Sequence, residues 1–252
     1  MTLTLLLLIL SLSASHAQLE PRIVGGRNAE PGEVPYQVSL QKIKTQHNFC
    51  GGVILNKYYI LTCAHCMFEK DIKLLSAVVG TIDLRLPFST HLLESSYIHE
   101  KYNRTDSWIN DIALIKVQTP FVFSFLVHPV ILPRQDEIVK AGATAVVSGY
   151  GRLQHNGKKT KQLHIVSIKI ADQAHCKAMY KERSRIIYNT QICANDPTVE
   201  KGSCKGDSGG PLMVDGKLVG LVSWSAHCSD TKYPAVYTRV PSYINWISKH
   251  II

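Results

Sequence analysis

Short apolar runs, broken every few positions by glycine, proline, asparagine or aspartate, recur along the chain. "YQVSLQK" alternates apolar and polar positions, the period of a strand with one wet face. "GGVILN" and "YYILT" are compact apolar runs, and "SAVVG", "DIALIKV", "TAVVSGY", "QLHIVSIKI", "KLVGLVSW" and "AVYTRV" follow. Regular short strands over this length predict an all-β sandwich or barrel. Two segments depart from the pattern. "ADQAHCKAMYK" predicts a short helix, and "PSYINWISKHII" a terminal one opened by Pro241, with Ile244, Ile247 and Ile251 at helical spacing. That helix is expected to dock on the β body with Trp246 as a packing anchor.

The 252 residues suffice for one large domain or two small ones. Residues 1–17 form an apolar run too short to span a bilayer and end in Ser15-His16-Ala17, so a secretory signal cleaved before Gln18 is expected. Its start carries no Lys or Arg, which makes the leading part of that signal atypical. No later apolar stretch is long enough for an anchor, and the mature protein is expected outside the cell or in a secretory granule, as a monomer. The net charge of +9 is concentrated in "GRLQHNGKKTK" and "CKAMYKERSR", which suits glycosaminoglycans or other polyanions. Nothing resembles a nucleic-acid motif. "NRT" at Asn103 is a glycosylation sequon.

Seven cysteines leave at least one without an intramolecular partner. The segment "LTCAHC" has the spacing of a redox dithiol at Cys63 and Cys66. Together, His47, Cys50, Cys63 and Cys66 also have the spacing of a zinc knuckle. A third reading makes His65 the functional group and one of the flanking cysteines a structural staple. An oxidising compartment argues against the reduced dithiol, and the chain lacks the βαβ context that such motifs need.

Amide hydrolysis needs a nucleophile, a base, a group that holds the base, and donors for the oxyanion. Ser208 lies in "GDSGGP", where glycines permit a tight turn and let amides face a ligand; Gly206 and Ser208 would supply two oxyanion donors. His65 in "TCAHC" and Asp111 in "NDIAL" complete an ordered set.

With "RIVGG", "TCAHC", "NDIALIK", "CKGDSGGPL", "SWSAHC" and "PAVYTRV" in this order, the chain from Ile23 onward resembles the trypsin/chymotrypsin-type serine proteases. The resemblance implies two packed antiparallel six-stranded β-barrels with a C-terminal helix and an active site in the cleft between them. Ser208 would be the nucleophile, His65 the base and Asp111 its partner, with Ser223 bonding the aspartate. Residues 18–22 would be an activation peptide. Cleavage after Arg22 by a trypsin-like protease would free the amine of Ile23 to pair with Asp207.

The family's disulfides would be Cys50–Cys66, Cys176–Cys193 and Cys204–Cys228, leaving Cys63 as a free thiol. Gly202, six residues before Ser208, stands where trypsins carry an aspartate, so a non-tryptic pocket is expected. Ser203, Lys205, Ser223, Trp224, Ser225 and Ala235 would complete that pocket, with Ser225 and Ala235 narrowing it. Asp230 could turn inward and restore a basic preference, and Lys205 could favour acidic residues near the cut. The segment "GTIDLRLPFSTHLLESS" corresponds in place to the family's calcium loop, but Asp83 and Glu94 are too few carboxylates for a cage. No metal or cofactor is expected. The expected partners are protein or peptide substrates and protein inhibitors. The other reading is a protease-like binding protein, occluded at the pocket and acting through its basic surface.

Overall fold

A computed structural model describes residues 25–153 and 157–251. After the two-residue strand β1 (Arg27–Asn28), six strands form a closed antiparallel barrel: β2 (Gln37–Lys42), β3 (His47–Ile54), β4 (Tyr59–Thr62), β5 (Leu75–Val79), β6 (Ser89–Ile98) and β7 (Ala113–Val117). A second six-stranded barrel follows with β8 (Thr144–Gly149), β9 (His164–Ile170), β10 (Gln191–Asn195), β11 (Pro211–Val214), β12 (Lys217–Trp224) and β13 (Ala235–Arg239). Its closure is the β8–β9 pairing, and β1 adds to the outside of β9. Closure removes the exposed strand edges that would otherwise invite association. The two-barrel expectation is met.

Both predicted helices form, α2 (Gln173–Lys181) and α3 (Ile244–His250), in addition to a single turn, α1 (Ala64–Met67). Asp172 caps α2 by accepting from the His175 amide at 2.8 Å. Helix α3 follows the second barrel in sequence but packs on the first. Ile247 is fully buried there, and Ile244, Trp246 and Ile251 lie against the same core. Burial of the Ile247 side chain is worth about 1.5–3 kcal/mol. Among the described residues no helix is long and apolar enough to cross a membrane.

Four strands escaped the sequence reading, the short β1, β10 and β11 and the longer β6. The presumed loop from Gly80 to Ser96 is a loop only in its first half, and from Ser89 onward it is β6. Only His91 and Leu93 turn inward at the start of this strand, too few to make a visible apolar run. Asp83 pairs with Arg85 at 2.6 Å and Glu94 with Lys116 at 2.9 Å, so each carboxylate already has a cation.

The barrels meet through buried polar contacts. Ser148 donates to Gln37 Oε1 at 2.6 Å, Asn48 Nδ2 to the Gly206 carbonyl at 3.1 Å, and the Gly51 amide to the Ser208 carbonyl at 2.7 Å. These bonds fix the relative placement of loops from both barrels, where a buried donor left unmade would cost about 1–3 kcal/mol.

Three disulfides form, Cys50–Cys66, Cys176–Cys193 and Cys204–Cys228. The first consumes two thiols of the zinc-knuckle set and one of the dithiol, so neither alternative reading of "LTCAHC" is built. Cys63 is a free, fully buried thiol whose Sγ donates to the Val222 carbonyl at 3.2 Å. Burial, reinforced by the Asp111 charge, pushes its pKa well above the ordinary value. Ellman's reagent should therefore find no reactive thiol in the native protein and one after denaturation. Cys63→Ala should cost about 1–2 kcal/mol of stability, for the small cavity. A reactive native thiol, or a disulfide-linked dimer, would contradict this placement.

Candidate active site

Asp111 closes the loop that leads into β7, and its carboxylate is 1 % exposed. That loop is unusual in its backbone. Ser107, Trp108 and Asn110 all have positive φ, at 49°, 52° and 56°. Each left-handed non-glycine residue costs on the order of 1 kcal/mol or more, so the surroundings must hold it. They do. Gln191 Nε2 donates to the Ser107 carbonyl at 2.7 Å, Tyr243 donates to Asn110 Oδ1 at 2.9 Å, and Asn110 Nδ2 reaches the Lys101 carbonyl at 2.8 Å. Thr238 fixes the Asp111 carbonyl at 2.6 Å.

His65 sits on α1, directly after β4. Its ring Nδ1 lies 2.7 Å from Asp111 Oδ2, and its backbone amide donates to Asp111 Oδ1 at 2.9 Å. Ser223 Oγ donates to the same Oδ2 at 2.5 Å. The carboxylate thus accepts three hydrogen bonds and fixes the imidazole in orientation. Burial opposes ionisation of Asp111, but the His65 charge and these bonds outweigh it and hold its pKa below the usual carboxylate value. Burial also opposes charging of His65, and again the Asp111 charge and hydrogen bond prevail, raising the imidazole pKa. A reaction that needs neutral His65 should therefore fail as pH drops through a value above the 6.5 of a free imidazole. The pH profile of kcat/KM in the processed enzyme measures this; an acid limb well below that value would count against it.

Ser208 lies in the loop between β10 and β11, half-buried, with its carbonyl held by Gly51. Gly209 must be glycine. Its φ is +77°, and a Cβ would lie 2.6 Å from the Gly51 carbonyl and strike the Thr62 hydroxyl. In this loop the amides of Asp207, Gly209 and Gly210 bond to Cys204, Val222 and Asp207 carbonyls respectively. Among the described residues, the amides of Gly206 and Ser208 carry no hydrogen bond, and neither does the Ser208 hydroxyl.

Asp207 points away from Ser208 into the second barrel. Its oxygens accept from the Gly151 amide at 2.7 Å and the Cys204 amide at 2.9 Å. Burial dominates and pushes its pKa up to about 6, only partly offset by those amides and by Lys159. The carboxyl presses on Gly149 and Gly151, where a side chain would collide with it. Arg22 and Ile23 lie outside the described residues, as do the signal and the activation peptide.

Beside Ser208 opens a pocket of about 320 Å³ lined by Ser203, Lys205, Ser223, Trp224 and Ser225, together with Trp108, Val222, Ala226 and the Cys204–Cys228 disulfide. Gly202 and Ala235 are not part of this lining. Gly202 is buried beneath it, its carbonyl accepting from Ser229 Oγ at 3.3 Å, and Ala235 packs towards the second core. Asp230 does not turn inward. Its Oδ1 accepts from the amides of Lys232 and Tyr233 at 2.8 and 3.0 Å, which commits it to its own turn. The sequence reading missed the lining residues Val222, Ala226, His227 and, above all, Trp108. Its ring stacks on Trp224 with centroids 5.6 Å apart, and the Arg185 guanidinium lies 5.4 Å above it. A tryptophan three residues before Asp111 was the available signal.

Asn103 is exposed, and its Oδ1 accepts from the Thr105 amide and hydroxyl at 3.0 and 2.8 Å.

The sequence profile described as Trypsin matches residues 23–247. Trypsin epsilon of Drosophila erecta is 37 % identical over 92 % of this chain and 88 % of its own length. Chymotrypsin-2 of Vespa crabro is 38 % identical over 90 % of this chain and 99 % of its own. The solved structure of neuropsin, a serine protease of mouse brain, superposes with a TM-score of 0.80 at 30 % identity, covering 89 % of this chain and 97 % of that one. Two closed barrels, a histidine held by a buried aspartate and a serine in "GDSGGP" agree with these likenesses, and the chain belongs to the trypsin family of serine proteases, as a serine endopeptidase.

Proposed function

We propose that this endopeptidase is secreted as a zymogen, with residues 1–17 as signal, 18–22 as activation peptide and 23–252 as the protease domain, and that cleavage after Arg22 switches it on. The observation that carries the catalytic assignment is the Ser223–Asp111–His65 hydrogen-bond chain, next to a pocket that contains Ser208. Ser208 attacks the scissile carbonyl, His65 takes its proton and returns it to the leaving amine, and Asp111 stabilises the imidazolium. The unbonded amides of Gly206 and Ser208 then receive the oxyanion. Ile23 pairs with Asp207, a buried carboxylate that makes no ion pair among the described residues.

Specificity is non-tryptic in this reading, for a small or medium apolar residue before the cut. Among the described residues no carboxylate lines the pocket, Gly202 stands in place of the trypsin aspartate, and Asp230 is engaged elsewhere. The relatives bear both trypsin and chymotrypsin names, so the pocket residues carry this argument. Lys205 is exposed at the rim and favours an acidic residue near the cut. Secretion is supported by the three disulfides and by an exposed sequon at Asn103, which we assign a glycan.

The test is labelling of Ser208 by a fluorophosphonate after cleavage at Arg22, followed by a peptide library profiled for the residue before the cut. Labelling with cleavage after apolar residues supports the proposal. Strong preference for Lys or Arg would overturn the specificity. No labelling and no turnover would favour the occluded binding protein acting through its basic surface.

A further inference from the structure

The loop that carries Asp111 into β7 is tied down at two separate places, by two different parts of the chain. Its far end, Asn110 and Asp111, is held by Tyr243, Thr238 and Ser223. Its near end, Asp106 and Ser107, is held by residues 185–191, which connect α2 to β10.

Three hydrogen bonds make the near tie. Gln191 Nε2 donates to the Ser107 carbonyl at 2.7 Å, the Ile186 amide to Ser107 Oγ at 3.2 Å, and the Tyr188 hydroxyl to Asp106 Oδ1 at 2.7 Å. Gln191 is itself fixed. Its Oε1 accepts from the Tyr188 amide at 3.0 Å, and Gln173 Nε2 of α2 lies 3.1 and 3.0 Å from the Tyr188 and Gln191 carbonyls. Gln191 and Ser107 are both buried, so water cannot replace this bond and an unpaired carbonyl there would be costly.

What the tie sets is the direction of Trp108. Ser107 and Trp108 are consecutive left-handed residues, a conformation that persists only where outside contacts hold it. The Ser107 carbonyl belongs to the peptide that joins the two, so its bond to Gln191 fixes the plane from which the indole departs. The same connection also supports the ring. Arg185 lies over Trp108, and Tyr180 of α2 packs edge-on against Trp224 with centroids 4.8 Å apart. Tyr180, Trp224, Trp108 and Arg185 form one layered wall, and its two indoles face the pocket beside Ser208.

We propose that Gln191 and Tyr188 are positioning residues for substrate selection, which hold Trp108 as a wall of the pocket independently of the contacts that align Asp111. One loop thereby carries a specificity group and a catalytic group on separate anchors. The inference rests on the protease reading and deepens it, since peptide binding and peptide hydrolysis then depend on different contacts of the same loop.

Gln191→Met keeps the length of the side chain and removes both of its hydrogen bonds. In the processed enzyme it should raise KM for a fluorogenic tetrapeptide about tenfold, with kcat within about twofold of the parent. Tyr188→Phe loses only the bond to Asp106 and should raise KM about threefold. Tyr243→Phe, at the other anchor, should do the reverse, lowering kcat about tenfold with KM little changed. The rate at which a fluorophosphonate labels Ser208 involves no peptide and should follow kcat in each variant. A second readout does not need activity. The stacked indoles should give an exciton couplet in circular dichroism, identified by its loss in Trp108→Phe, weakened in Gln191→Met and kept in Tyr243→Phe. Thermal unfolding confirms that each variant is folded. The inference is overturned if Gln191→Met leaves KM and the couplet at parental values. It is also overturned if that variant lowers kcat and labelling by as much as it raises KM, the mark of one shared anchor. Absence of labelling in the wild type would remove the protease reading, while the couplet would still test the anchoring of Trp108.

Discussion

Asp111→Asn is expected to lower kcat by about 10⁴-fold with little change in fold, the size seen for this substitution in the family's own triad. The reason lies in who donates to whom. Asp111 accepts from the His65 amide, the His65 ring and Ser223. An asparagine keeps one acceptor oxygen, which stays with the His65 amide, and turns an NH₂ towards the ring. Nδ1 must then accept, so the proton moves to Nε2, the atom that should take the proton of Ser208. Ser223 can rotate to accept instead of donate, which is why the loop survives. Loss of the carboxylate charge also removes what raises the His65 pKa, so residual activity should persist to lower pH than in the parent. Single-turnover kinetics with a fluorogenic peptide measure both effects. A variant within tenfold of wild type would remove Asp111 from the mechanism.

The second large effect concerns activation. Arg22→Gln should stay inactive when treated with trypsin because the bond is no longer cut. Asp207→Asn should be cut normally and still remain about 10²–10³-fold less active than the processed wild type, the cost of breaking a buried ion pair. In the uncleaved chain Asp207 is buried, its donors among the described residues are two amides, and its pKa is about 6 against 3.8 in the open chain. Between these values the folded state binds a proton that the unfolded state does not. Stability is therefore highest below the lower value, falls as pH rises through the upper one, and at neutral pH is reduced by about 3 kcal/mol. Cleavage supplies the Ile23 ammonium and the carboxyl pKa drops below its open-chain value, so the processed protein should gain stability with pH only below about 4 and be nearly flat from about pH 4.5 to 7, where the uncleaved chain loses it. Denaturant midpoints at about pH 4.5 and 7 for both forms test this difference in slope. Full activity in processed Asp207→Asn, or the same pH slope in both forms, would remove the Ile23–Asp207 pair from the mechanism.

The barrel architecture was legible because most strands advertise themselves locally. "KLVGLVSW" and "QLHIVSIKI" carry their own alternation, and Ile244, Ile247 and Ile251 their helical spacing. β6 did not, since a strand with few inward side chains has a weak pattern and is specified by its neighbours β5 and β7. Likewise, His65, Asp111 and Ser208 were named from short strings. Nothing local says that His65 and Asp111, 46 residues apart, meet at 2.7 Å.

Taken by itself, the sequence determined the residue types able to do the chemistry, the glycines that the Ser208 loop requires, the odd number of cysteines and the absence of an acid at Gly202. These are properties of single positions or of neighbours in the chain. Tertiary structure decided which cysteine is buried and free, that Asp230 caps its own turn, and that Trp108 stacks on Trp224. Each depends on groups far apart in the chain being brought within a few ångströms by barrel closure, and on the burial that follows, which sets both pKa values and accessibility.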